Sequence, residues 1–200
     1  MRAYYYFELL RLYGPIPLIG EDPIPLDASL EELIKERNSV DECVNFIATE
    51  LQSAIDSGDL LQRAGKANLG RMDVATCMAL KAKLYLYWAS PLFNGNTDFF
   101  NVKDCYGNQL VSQTYDETKW AKAAAAAKDV IELAKASGLY ELYVVAPKAT
   151  VLPSQRPPHN ALYSDKNYPE GWADVDPLLS YKSNFDGTIL GSKNPELIFT

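Results

Sequence analysis

Histidine is nearly missing from this chain of 200 residues, in which His159 is the only one. With no second imidazole for a metal and no serine or cysteine motif to activate, His159 reads as a loop residue rather than a catalytic base. Cysteine is scarce too. Cys43, Cys77 and Cys105 cannot all pair within one chain, and their spacings of 34 and 28 residues match no metal-ligand pattern. Cys43 and Cys77 fall on helical core faces, where a free thiol acts as a small hydrophobe. No GxGxxG or Walker-type phosphate loop occurs, which leaves nucleotide binding without support. Basic charge is in deficit: 19 Lys and Arg stand against 26 Asp and Glu, a net charge of -7. Nucleic-acid binding needs a Lys/Arg-rich face to displace phosphate counterions, so it is disfavoured. The opening Arg2-Ala3-Tyr4-Tyr5-Tyr6-Phe7 lacks the layout and cleavage site of an export signal. The longest apolar stretch, Met72 to Phe93, is interrupted by Asp73, Lys81 and Lys83 and reads as a buried helix, not a membrane span.

What is present suits an ordinary globular domain: 48% hydrophobic and 22% charged residues, in a chain long enough to bury one core. Residues 2–13 read as a helix apolar nearly all round, stopped by Gly14-Pro15, that should be covered on most sides. Pro15, Pro17, Pro23 and Pro25 make residues 15–25 an extended connector. Ser39-Val40-Asp41-Glu42 fits a capping box and opens a second helix, whose buried stripe is Val40, Val44, Ile47, Leu51 and Ile55. Asp56-Ser57-Gly58-Asp59 ends it, and a polar loop with Gly65 and Gly70 follows. A third helix, 72–89, carries two apolar faces, Val74/Met78/Tyr85/Trp88 and Ala75/Ala79/Ala82/Leu86/Ala89, and is expected to be the central one. Asp116 can cap a fourth, running to about 136, with Trp120, Ala124, Ala127, Ile131 and Ala134 inward and Lys119, Lys122, Lys128, Asp129 and Glu132 outward. Trp88 and Trp120 are both expected in the core.

After Gly138 the composition changes. Pro147, Pro153, Pro157, Pro158, Pro169 and Pro177 exclude long helices, while Tyr, Trp, Asn and Asp are abundant. This segment is expected to be irregular, with short strands at 141–145 and 197–200. An irregular stretch of this length is unusual unless functional or disordered, and its aromatic content argues against disorder.

Successive helical hairpins prompt a search for repeats. Trp120-x-x-Ala123-Ala124-x-x-Ala127 matches the first helix of a tetratricopeptide unit, Val44-x-x-Ile47-Ala48-x-x-Leu51 matches it more weakly, and Ala82-x-x-x-Leu86-x-x-Ala89 fits the second helix. The fold class read from these patterns is mainly α: tetratricopeptide-like hairpins of an alpha-alpha superhelix with a long irregular, aromatic-rich C-terminal segment. Residues 1–138 form the scaffold and 139–200 a loop-rich part of the same domain. An ordinary helical bundle satisfies the same periodicity.

The ordered string Arg2-Ala3-Tyr4-Tyr5-Tyr6-Phe7-x-Leu9-x-Arg11-x-Tyr13-Gly14-x-Ile16-Pro17, Gly70-Arg71, Ala79-Leu80-x-Ala82-Lys83-Leu84-Tyr85-Leu86-Tyr87-x-Ala89-Ser90-Pro91-Leu92-Phe93-Asn94, Lys119-Trp120-x-x-Ala123-Ala124 and Asn194-Pro195-Glu196-Leu197-Ile198-Phe199 closely resembles the SusD/RagB family. The resemblance implies a helical scaffold carrying a more variable, loop-rich ligand site. It also implies a surface lipoprotein of the outer membrane in Bacteroidetes-type bacteria. Such a protein would bind oligosaccharides, or peptides, and pass them to a SusC-like TonB-dependent transporter. Members of the family begin with a lipoprotein signal and continue beyond the last motif, so the chain is expected to be an internal stretch, truncated at its C-terminal end.

Sugar binding without catalysis needs flat apolar faces beside fixed polar groups. Trp172, Tyr163, Tyr168 and Tyr181 lie in such a setting with Asn160, Asp165, Asn167 and Asp174, and are the candidate ligand-binding residues, although loop aromatics also serve to pin loops to a core. Glu170, Asp174 and Asp176 could supply a glycosidase pair, which needs two carboxyl groups about 5–10 Å apart, but solvated acids are common in an acidic chain. The reading is of a protein that is not an enzyme and needs no cofactor or metal: a non-catalytic binder of nutrient oligosaccharides. A tetratricopeptide-type adaptor for a protein or peptide is the alternative.

Overall fold

The computed structural model describes residues 1–20, 24–64, 68, 70–147, 154, 156–190 and 193–198. Pro23, Gly65, Pro153 and the final two residues of the strand expected at 197–200 lie outside them. The chain is mainly α, as its periodicity predicted, with helices α1 (Arg2–Tyr13), α2 (Leu30–Leu33), α3 (Val40–Asp56), α4 (Val74–Ala89), α5 (Glu117–Ser137) and α6 (Pro177–Ser183). It divides into two compact units, Met1–Leu133 and Ala134–Thr200.

In the first unit α3 is the central helix, packed against both α1 and α4. Its start is fixed by the expected capping box. The Glu42 amide donates to Ser39 Oγ at 3.2 Å, and the Ser39 amide donates to the Glu42 carboxylate at 2.7 Å, so two otherwise orphaned donors are satisfied. Val40, Val44, Ile47 and Leu51 are buried as the stripe required. With Phe7, Leu10, Leu84, Trp88, Phe93 and Val111 they form one apolar cluster. The expectation that the 72–89 helix would be central is corrected. α4 buries Ala75, Cys77, Leu84 and Trp88, but Leu86 on its second face is exposed. α4 begins two residues later than the apolar run, because Asp73 caps it through the Thr76 amide at 2.7 Å.

α1 ends where expected, at Gly14, whose φ of 71° suits glycine. It is covered on one face alone. Ala3, Phe7 and Leu10 are buried, whereas Tyr5, Leu9, Leu12 and Tyr13 are exposed. The following connector is clamped rather than loose. Leu18 N–H donates to Asn38 Oδ1 at 2.9 Å, Asn38 N–H to the Ile16 carbonyl at 3.0 Å, and Ile19 N–H to the Tyr6 hydroxyl at 3.0 Å. Cys43 and Cys77 are buried free thiols in α3 and α4, and desolvation raises the pKa of each above its ordinary value.

The face expected to be buried on α5 is corrected most clearly. Trp120 is 39% exposed and Ile131 is also exposed, while Lys119, Ala123 and Ala126 are buried. The physical reason is Lys119 itself, which is 2% exposed. Its Nζ lies 2.8 Å from Asp41 Oδ1 and 4.5 Å from the centre of the Trp88 ring. The same carboxylate oxygen accepts from Trp88 Nε1 at 2.5 Å. An ion pair plus a cation–π contact turns the helix by about one residue from the orientation its tryptophan suggested.

Candidate functional site

Among its described residues the second unit holds the last turn of α5, loops and the short helix α6, and the strand expected at 141–145 does not form. Its backbone donors go elsewhere. Tyr143 N–H donates to Glu196 at 2.8 Å and Val145 N–H to Ser180 Oγ at 2.9 Å, so side chains replace a ladder. Leu197 and Ile198 are likewise not in a strand. Asp176 caps α6 by accepting from the Leu179 amide at 2.9 Å, and its own amide donates to the Val145 carbonyl at 2.7 Å.

Residues 160–175 fold into a loop cross-braced by main chain. Trp172 N–H donates to the Tyr163 carbonyl at 3.0 Å and Ala173 N–H to the Lys166 carbonyl at 2.8 Å. Gly171 sits between these strands of the loop. A Cβ there would lie 2.2 Å from Tyr163 O and 2.4 Å from Lys166 O, so any side chain would force the brace apart. Asn160 closes the loop's start: its amide donates to Ser164 Oγ at 2.6 Å, and its side chain accepts from the Leu162 amide at 2.9 Å.

This brace presents half-buried Trp172 in a cleft of about 310 Å³ together with Arg156, Ser164 and Asp176, walled by prolines. Of the four sequence-predicted aromatics only Trp172 lines it. Tyr163 and Tyr168 are 50% and 41% exposed outside the cleft. Tyr181 is 68% exposed on α6, where its ring meets that of Phe185 with centroids 5.0 Å apart. Arg156 and Ser164 were missed, and no local pattern in the sequence points either of them to the cleft.

The polar residues considered with these aromatics have local duties. Asp165 faces His159, Oδ2 to Nε2, at 3.2 Å. Asp174 accepts from the Tyr168 amide at 2.9 Å. Two of the three acids weighed as a glycosidase pair, Asp174 and Asp176, are therefore engaged in holding backbone. Among the described residues no group of three His, Cys, Asp or Glu could hold a metal ion, and no helix is long and apolar enough to cross a membrane.

No family model and no curated protein matches the chain. Solved structures do. A protein called BT4246 is 40% identical over 72% of this chain and 24% of its own, with a TM-score of 0.64. Its selenomethionine form gives 38% identity, coverage of 72% and 23%, and a TM-score of 0.57. A SusD-like protein (BF3747) from Bacteroides fragilis NCTC 9343 is 22% identical over 71% of this chain and 20% of its own, with a TM-score of 0.46. The chain therefore spans about a quarter of the length of BT4246. A protein described as SusD-like is thus among the solved structures similar to this chain.

Proposed function

We propose that the chain is part of a non-catalytic binder of oligosaccharides, a lipoprotein at the surface of the outer membrane that passes its cargo to a SusC-like TonB-dependent transporter. The observation that carries the binding step is the cleft at Trp172. An indole face offers the apolar surface that the C–H side of a pyranose ring needs, and Arg156 and Ser164 supply donors for ring hydroxyls and oxygens. The cross-braced loop holds Trp172 and Ser164 before the ligand arrives, which lowers the ordering cost of binding. Nothing in this chemistry makes or breaks a covalent bond; capture and release suffice. The sequence resemblance supports the remaining steps, namely anchoring and hand-off.

The test is calorimetric titration of the protein with neutral oligosaccharides, beginning with a xylogluco-oligosaccharide, the ligand in one further solved structure similar to this chain. Saturable binding is expected, weakened about tenfold in Trp172→Ala by loss of the stacking face. Binding that Trp172→Ala leaves untouched would remove the cleft from the proposal. Co-purification of the full-length protein with an outer-membrane barrel tests the hand-off, and recovery from the cytosol alone would rule it out.

A further inference from the structure

A cavity of about 470 Å³ lies in the first unit between the start of α1, the second half of α3 and the start of α4, and shares no residue with the Trp172 cleft. Leu51 and Leu80 give it an apolar wall. Three sulfur-bearing side chains line it as well: Met1, Met72 and Cys77. They are two of the chain's three methionines and one of its three cysteines, a concentration that apolar filling does not require, since leucine serves that need on the same wall. Glu50 is the acid in this lining, and its carboxylate accepts from Arg2 Nε at 2.7 Å. The cavity therefore offers soft sulfur donors and no unpaired carboxylate among its described residues.

Cys77 is the fixed point of the group. It is 5% exposed on α4, and its thiol has no hydrogen-bond partner among the described residues, whereas the other buried thiol, Cys43, donates to the Ile16 carbonyl at 3.4 Å. Burial is the larger influence on the acidity of the Cys77 thiol and the positive charge of the Met1 amine an opposing one, which places Met1 close to it. Met1 is exposed and Met72 half-buried, so neither thioether is locked by packing. Three rotatable bonds let each swing its sulfur toward Cys77. Charge then decides which ion the group suits. A monovalent cation on one thiolate is neutral and fits apolar walls, whereas a divalent cation leaves a positive charge among them. Thiolate and thioether ligands together select Cu(I).

We propose that Cys77, Met72 and Met1 form a binding site for one Cu(I) ion, held by a thiolate and two thioethers. The thiol proton passes to solvent as the copper–sulfur bond forms, and the copper stays monovalent, so no oxidant or reductant is consumed. This goes beyond the oligosaccharide reading and uses none of its residues. The test is anaerobic titration of the Cys105→Ser protein with Cu(I) against the chelator bicinchoninate, a background that removes the one exposed thiol. One equivalent is expected to be held, with sulfur alone in the first shell by X-ray absorption. Met72→Leu keeps the apolar volume and removes only the sulfur, so it should weaken Cu(I) about tenfold or more while leaving the melting temperature of the metal-free protein nearly unchanged. Cys77→Ser should abolish retention. No copper held against the chelator, retention unchanged in Met72→Leu or Cys77→Ser, a first shell of nitrogen or oxygen, or Zn(II) held as tightly as Cu(I) would each overturn the proposal. Oligosaccharide binding sensitive to Trp172→Ala, measured on the same Met72→Leu protein, reports separately on the other cleft.

Discussion

Lys119 shows how one residue can override a helical pattern. A lysine in the sequence promises solvent, and the alanines at 121 and 123–127 fit any side of a helix equally well, so Trp120 and Ile131 suggested which way α5 faces. The choice is made instead by Asp41, which stands 78 positions earlier and accepts from both Lys119 and Trp88. No local spacing reveals such a partnership. It carries an asymmetry that can be measured. Asp41→Asn leaves an ammonium buried without its counter-charge and is expected to cost about 1–3 kcal/mol, below the full cost for a buried pair because Asp41 itself is half exposed. Lys119→Met replaces the stem with an apolar one of similar length and lets the Asp41 carboxylate rehydrate, so it should change stability by less than about 1 kcal/mol. Urea unfolding of the two variants checks the order, and an equal loss in both would mean that the pair, not the burial, sets the energy.

Elements were legible where a terminal signal and a burial stripe agreed. α3 has both, the Ser39–Glu42 box and an apolar stripe at steps of three and four, and it forms over the range those signals mark. α2 has the same box at Ser29–Glu32 but only four helical residues, and without a stripe behind it the signal drew no helix. The segment after Gly138 was readable as irregular and not as a site. Its cleft depends on main-chain braces between residues 163 and 172 and between 166 and 173, which have no periodicity to detect. The α3 cap gives a pH prediction. Hydrogen bonds from the Ser39 side chain and amide hold the Glu42 carboxyl below its ordinary range. A depressed carboxylate pKa contributes stability that is complete above the unfolded-state value and is lost as pH falls through the folded-state value. Ser39→Ala should therefore cost about 1 kcal/mol at neutral pH. That cost should shrink in acid, where Glu42 is protonated in both proteins. Thermal melts at neutral and acid pH measure it, and a penalty constant with pH would assign the loss to Ser39 alone.

At the scale of the whole molecule, the two units differ in what holds them. The first buries a continuous cluster from α1, α3 and α4, in which each large apolar side chain contributes about 1.5–3 kcal/mol. In the second, Tyr140 is the one buried apolar side chain among the described residues, and the other buried groups are Asp176, Ser180, Ser183 and Asn194. Hydrogen bonds such as Ser180 Oγ to the Asp176 carbonyl, at 2.6 Å, contribute about 0.5–1.5 kcal/mol net, so the second unit should open locally at far lower free energy than α3. Native-state hydrogen exchange is expected to find the α3 amides slowest and those of Trp172, Ala173 and Asp176 exchanging orders of magnitude sooner, although all three are bonded. A ligand seated on Trp172 must then change that difference. At about 100 times its dissociation constant it adds about 2.7 kcal/mol to any opening that destroys its site, and nothing to openings elsewhere. Oligosaccharide should thus slow exchange at Trp172 and Ala173 about a hundredfold while leaving local opening of the first unit unchanged. Equal protection of both units without ligand would contradict the difference in their cores, and protection by ligand confined to the first unit would move the oligosaccharide site off the Trp172 loop.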